Sequence, residues 1–363
     1  MGSLSFRLPS FPWDTIAEAK KIAASHPDGI CDLSVGTPVD PTPEIVQEAL
    51  KSVSDAHGYP TTWGSAELRE AISAYMSRRW NADIADEHSI LPVIGTKELV
   101  AWLPLQLGLG SEDAIVIPTT AYPTYEVGAR LAGCRLIAAD DPSQIAGRPR
   151  LIWINSPANP HGAISTPQQM REWVDYARHI GAVLASDECY GEFAWDRKAF
   201  SIADRAIGGS LDNIIVVNSL SKRSNMAGYR AGYLCGDMHV IRELLEIRKH
   251  AGMIVPQPIQ AAMIAALSDH DHVALQRERY QRRREALRQA LVTAGFTIDH
   301  SYGSLYLWVR REGQSGREIL DWFAQRGILI APGDFYGRDA SAYVRVAFTA
   351  TDERIQAAVR RLS

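Results

Sequence analysis

The stretch NSLSKRSNMAGYRAGY occupies residues 218–233. It continues NIIVV, a β-branched apolar run that reads as a strand. Lys222 follows in a serine-rich turn, with Gly228, Arg230 and Gly232 close behind. A lysine between two strands is by itself usually a surface residue. A lysine amine that acts as a nucleophile at neutral pH must be desolvated or set near other cations. The planar fork of Arg230 suits a phosphate dianion. The motifs elsewhere in the chain decide between a surface lysine and a functional one.

Outward from this turn, helix and strand patterns alternate, which predicts an α/β fold with a mainly parallel sheet. AIVIP, RLIWIN, AVLASDE, NIIVVNS and AGYLCG read as strands. TPEIVQEALKSV is expected as a helix capped by Thr42 with Pro43 at its first position. SAELREAISAYMSRRW is expected as a helix capped by Ser65. In TPQQMREWVDYARHIG, Thr166 and Gln169 form a capping box and Gly181 ends the helix. From about residue 237 long helices take over, including DHVALQRERYQRRREALRQALVTAG, whose arginines are expected to form a solvated face. Short strands LYLWV, ILIAP and YVRVAF and a last helix follow.

Ligands in open α/β sheets gather at the carboxyl ends of the strands, so the polar residues after these runs are the candidates. SDECYGEF (186–193) follows AVLA and offers Asp187 and Tyr190. NSPANPHG (155–162) places Asn159 in a Pro/Gly turn, with His161 expected as a turn residue. GTKELVAWL (95–103) opens a helix with Gly95, Thr96 and Lys97, a composition suited to cradling a phosphate. PTTAYPTYEVGARLAG (118–133) offers Tyr122, GYPTTWGSAELREAI (58–72) Tyr59, LSVGTPVDPTP (33–43) Gly36, and YVRVAFTATDERI (343–355) Arg345. Each taken alone has a bland reading as cap, turn, core aromatic or surface cation.

Composition narrows the classes. The 363 residues suggest two domains. A net charge of −4 and a pI near 6.2 point to neither a nucleic-acid nor an anionic-membrane partner. Cys31, Cys134, Cys189 and Cys235 are scattered, without a C-x-x-C pair, so buried reduced thiols are expected and a metal is not. No run long and apolar enough to span a membrane and no signal-peptide pattern is present, so a cytoplasmic location is expected. No G-x-G-x-x-G fingerprint supports a dehydrogenase.

Taken together and in this order, the motifs resemble fold type I pyridoxal-phosphate-dependent aminotransferases of the aspartate aminotransferase superfamily. The pattern S-x-S-K followed by G-x-R-x-G is matched by Ser219, Ser221, Lys222, Gly228, Arg230 and Gly232, and the D-E-x-Y pattern by Asp187 and Tyr190. The resemblance implies Lys222 as the Schiff-base lysine and Asp187 as partner of the protonated pyridine nitrogen. It implies Tyr190 and Asn159 at the phenolic oxygen, and Tyr122 stacked on the ring. Gly95, Thr96, Lys97, Ser219 and Arg230 would form the phosphate site, reached also by Tyr59 from the other subunit of a homodimer. Arg345 would bind the substrate α-carboxylate, with Gly36 on the segment that closes over the substrate.

The implied fold is a large domain with a mainly parallel, seven-stranded-type sheet between helices and a smaller α+β domain. The expected division gives 1–45 to a segment joining the small domain, 46–240 to the cofactor domain and 241–363 to the small domain. The implied reaction is ping-pong transamination of small amino and keto acids. Several phrases are similar to bacterial N-succinyl-diaminopimelate aminotransferases, which implies glutamate as donor and N-succinyl-2-amino-6-ketopimelate as acceptor. An aspartate or aromatic aminotransferase and a carbon–sulfur β-lyase remain open at this point. A cofactor-bearing transcription regulator is not expected, since no helix-turn-helix precedes the fold.

Overall fold

The computed structural model describes residues 8–84 and 87–362. Seven strands form the main sheet. In spatial order they are Ile90–Val93, Gly232–Gly236, Ile214–Ser219, Val183–Asp187, Leu151–Asn155, Ala114–Ile117 and Arg135–Ala138. Only Gly232–Gly236 runs against the others, pairing antiparallel on both sides. The central strands are buried along their whole length, as β-branched runs covered by helices on both faces should be. The sequence reading missed Arg135–Ala138, a half-exposed edge strand of four residues.

A second sheet holds Ala331–Pro332, Tyr343–Ala347, Tyr306–Arg310 and Thr297–Asp299, all antiparallel. Its core includes Leu307, Val309, Phe323, Val344 and Phe348, together with Ile16, Ala19 and Ala23 of the N-terminal segment. The helices Met238–Ala251 and Gln257–Ser268 depart from the expected division at residue 240. Ile241, Leu244 and Leu245 pack in a core with Leu91 and Val217, and Ala262 and Met263 pack with Leu68 and Val216. Apolar faces rather than chain order set these two helices against the large sheet.

The helix Glu44–Ser52 starts one residue later than expected, and no side chain caps it. Thr42 Oγ1 instead donates to the Asn225 carbonyl at 2.9 Å, tying the N-terminal segment to the lysine turn. Ser65 and Thr166 cap their helices and Gly181 adopts the left-handed C-cap. The long helix Asp271–Thr293 is not solvated throughout. Arg283 and Arg284 are buried and paired with Asp40 and Asp352, and with Asp196, respectively. Among the described residues no helix is long and apolar enough to cross a membrane.

Candidate active site

Asn155, Asp187 and Ser219 end three adjacent parallel strands, and Thr96 opens the helix after Ile90–Val93. Their side chains line one cavity of about 700 Å3 with Gly36, Lys97, Tyr122, Asn159, Tyr190, Lys222, Arg230 and Arg345. Two candidate residues lie outside that lining. Gly95 sits behind it, with φ +89°, and a Cβ there would run into the Arg230 guanidinium. Tyr59 is 100% exposed on this single chain.

Lys222 sits in a single helical turn, Leu220–Arg223, capped by Ser219, whose Oγ accepts from Ser221 N at 3.1 Å. The Lys222 ammonium donates to the Gly36 carbonyl at 2.5 Å. Burial lowers its proton affinity below the ordinary lysine value, the condition a nucleophilic amine needs. Arg230, held in the left-handed region at φ 56°, donates to Ala227 O at 2.7 Å. Its guanidinium borders the cavity beside the helix N-terminus at Thr96, where backbone N–H groups favour an anion.

Asp187 is buried, and its carboxylate accepts from Tyr125 Oη at 2.7 Å and from the Cys189 amide at 3.1 Å. Burial raises its proton affinity, opposed by these two hydrogen bonds. Arg345 is 3% exposed and donates to Asn159 Oδ1 and to the Ser34 carbonyl, both at 2.7 Å. Its Nε finds no partner. Among the described residues, no carboxylate pairs with this cation; the rings of Tyr306 and Tyr336 lie 3.9 and 4.9 Å away. A buried charge without a counter-charge costs several kcal/mol, so the guanidinium is built to receive an anion.

Tyr306 was not singled out in the sequence. Its hydroxyl is 2.8 Å from that of Tyr190. Burial alone would raise the Tyr306 phenol, but the Arg345 and Lys222 cations outweigh it and hold it below the ordinary tyrosine value. A Cβ on Gly36 would strike the Tyr306 hydroxyl, so glycine is the residue that fits there. The signal for Tyr306 lay in strand alternation. It and Trp308, the register partner of Arg345, stand on the same face of the sheet. Cys189, expected as an inert core residue, also borders the cavity, its Sγ 3.5 Å from Thr96 Oγ1. Tyr125 was likewise missed.

Arg223, Ser224 and Asn225, adjacent to Lys222, do not line this cavity. Arg223 is buried against Glu192 and the Tyr75 ring and donates to Ala266 O. His161 is half-buried near His300, and desolvation pushes its pKa down to about 4. Among the described residues no group of acidic, histidine and cysteine side chains is arranged to hold a metal ion.

The residues fit pyridoxal 5′-phosphate on three observations. Asp187 is a buried carboxylate with no cationic partner among the described residues, suited to a protonated ring nitrogen. Gly95 leaves the Arg230 guanidinium room at a helix N-terminus, suited to a phosphate. Lys222 brings a desolvated amine to the same cavity.

The family model for aminotransferase class I and II matches residues 28–362. A probable aminotransferase of Mycobacterium tuberculosis is 53% identical, over 100% of this chain and 87% of the relative. The 4-dedimethylamino-4-oxo-anhydrotetracycline transaminase of Streptomyces rimosus is 51% identical, over 98% of this chain and 99% of the relative. The structure of a probable N-succinyldiaminopimelate aminotransferase from Thermus thermophilus superimposes with a TM-score of 0.88 at 25% identity, covering 97% of this chain and 99% of that one. With the fold, the lysine turn and these relatives in agreement, the chain belongs to the class I and II aminotransferases, enzymes that use pyridoxal 5′-phosphate.

Proposed function

We propose that the chain transfers an amino group between α-amino and α-keto acids by a ping-pong route, working as a homodimer. The observation that carries this reading is the buried Arg345 guanidinium on the same cavity as Lys222. An α-carboxylate on Arg345 sets the substrate's Cα and amino group toward the Lys222 amine. Charge-assisted, forked hydrogen bonds fix both position and angle.

Pyridoxal phosphate, when bound, supplies an electrophilic carbonyl carbon and an electron-withdrawing ring. Lys222 would hold it through its amine, and the same amine would move a proton to and from the substrate Cα. Asp187 would hold a protonated ring nitrogen. Tyr125 donates to Asp187 and fixes the orientation of its carboxylate. Tyr190 and the Asn159 amide supply donors for the phenolic oxygen. Thr96, Ser219 and Arg230 hold the phosphate, with Lys97 at the rim. Amino group and electrons balance across the two halves: the donor leaves as its keto acid, and the acceptor's carbonyl becomes the amine.

The finer substrate reading, glutamate to N-succinyl-2-amino-6-ketopimelate, is supported by motif resemblance and by the T. thermophilus neighbour. The S. rimosus relative, at twice the identity, is named for a 4-dedimethylamino-4-oxo-anhydrotetracycline. The outer cavity decides less in favour of the succinylated acid. Beyond the residues given to the cofactor and the α-carboxylate, Lys97 is the one cation among the described lining residues, whereas that acceptor carries two further carboxylates.

A half-reaction screen tests the proposal. Amino acids are added singly to purified holoenzyme and the absorbance of the bound cofactor is followed. Glutamate or another α-amino acid should convert the spectrum, and a keto acid should restore it. A spectrum unmoved by every amino acid would overturn the reading, and steady pyruvate release from cystathionine would favour the β-lyase.

A further inference from the structure

The cavity has two halves of different character. The inner half carries the charged groups assigned above. The outer half is walled by Leu8, Pro9, Ser10, Phe11, Pro12 and Trp13 of the N-terminal segment, none of them charged. Val35, Ala101 and Val127 border the cavity too. Phe11 is 55%, Val35 43% and Leu8 36% exposed. Apolar side chains gathered at the rim of a cavity mark a ligand surface more often than scattered ones do.

This wall is anchored. Phe11 and Trp13 pack at 5.7 Å between ring centroids, and Trp13 packs on Phe335 at 5.3 Å. The turn Pro12–Ile16 leads into a helix whose Ala19 and Ala23 lie in the C-terminal core. Arg317 Nη2 donates to Thr15 Oγ1 at 3.1 Å at its base. One cation borders the apolar surface: the Lys97 ammonium lies 6.0 Å from the centroid of the Phe11 ring.

We propose that this outer half is a subsite for the ring-bearing, largely apolar body of one substrate: an α-keto acid, or its amino acid, whose side chain is an aromatic ring system. The inference rests on the transaminase reading and names its substrate class. Arg345 takes the α-carboxylate, and the ring stacks against Phe11 and Trp13. Lys97 pairs with at most one further anionic group. A substrate with two extra carboxylates would place at least one of them against the apolar wall, where an unpaired charge is disfavoured. Phe11 and Trp13 are specificity-determining residues in this account.

The test uses holoenzyme with glutamate as donor and a series of acceptors: phenylpyruvate, indole-3-pyruvate, oxaloacetate and N-succinyl-2-amino-6-ketopimelate. The aryl keto acids should exceed oxaloacetate and the succinylated acid in kcat/KM by about tenfold or more. Phe11→Ala, at a position that is 55% exposed, should shrink that ratio by about tenfold. A second readout needs no turnover: calorimetric titration should show 3-phenylpropionate binding wild type more tightly than glutarate, and Phe11→Ala losing the difference. Oxaloacetate or the succinylated acid equalling the aryl acids, or an unchanged ratio in Phe11→Ala, would overturn the subsite. If glutamate still converts the cofactor spectrum in that case, only the subsite falls. If no amino acid converts it, the transaminase reading falls and the subsite with it.

Discussion

Arg345 Nη1 donates to Asn159 Oδ1 at 2.7 Å, joining a strand of the C-terminal sheet to a loop of the main sheet 186 residues away in sequence. The bond orients two candidate ligands of one substrate at once. Burial would lower the Arg345 proton affinity, but the surrounding tyrosines outweigh it and hold it above the ordinary arginine value. Arg345→Lys keeps the charge but loses the fork. Each charged hydrogen bond is worth roughly 1.5–3 kcal/mol, so kcat/KM for glutamate should fall by about a hundredfold or more. An amine lacking the α-carboxylate should show no such loss, and equal losses for both would contradict the role.

Asp187→Ala should cost catalysis far more than cofactor retention. The ground-state hydrogen bond accounts for roughly 1.5–3 kcal/mol, and the electrostatic effect on the reacting carbanion exceeds it. Steady-state rates at saturating pyridoxal phosphate are the measurement. A rate restored to wild type there would reduce Asp187 to a binding role. Tyr125→Phe, which removes only the 2.7 Å bond to Asp187, should lie between the two.

Glu188, next to Asp187, carries a pH signature. Its Oε1 accepts from Ser186 Oγ at 2.8 Å and from the Ile202 amide at 2.9 Å, while Oε2 has no partner. Burial pushes its pKa up to about 7, against 4.5 for a free glutamate. The folded state therefore keeps a proton that the unfolded chain releases. Stability from this group is complete below about pH 4.5 and falls as pH rises toward 7. Glu188→Gln should match wild type near pH 5 and exceed it above pH 7, by on the order of 3 kcal/mol. Urea unfolding at pH 5 and pH 8 measures the difference; parallel pH profiles would contradict it.

Tyr59 is fully exposed on one chain, as are more than a third of the Trp102, Leu105 and Ile247 side chains. In the proposed homodimer these residues would be buried against the second subunit, and Tyr59 would reach the partner's phosphate site. Mixing an inactive Tyr59→Ala variant with an inactive Lys222→Ala variant should restore activity, because one heterodimer site is intact. Light scattering that shows a monomer at micromolar concentration would refute the shared site.

The strand ends were legible because period and chemistry agree there. β-branched runs such as NIIVV predict a buried parallel strand, and Ser219 and Asp187 follow where the sheet opens. Tyr125 and Tyr306 were not legible. Each looks like an ordinary core aromatic, and only tertiary packing sets its hydroxyl against Asp187 or Tyr190. Arg283 and Arg284 read as a solvated face because their partners Asp40, Asp196 and Asp352 lie far away in sequence. The Leu8–Trp13 wall was invisible for the same reason: its apolar residues acquire meaning only opposite Lys97 and Val127.

The central claim is that Lys222 is the residue that carries the cofactor. Borohydride reduction of the holoenzyme, followed by proteolysis and mass spectrometry, fixes the cofactor to whichever lysine holds it. The account predicts a pyridoxyl adduct on Lys222 and none in Lys222→Ala. An adduct on Lys97, or a Lys222→Ala protein that still transaminates near the wild-type rate, would contradict it.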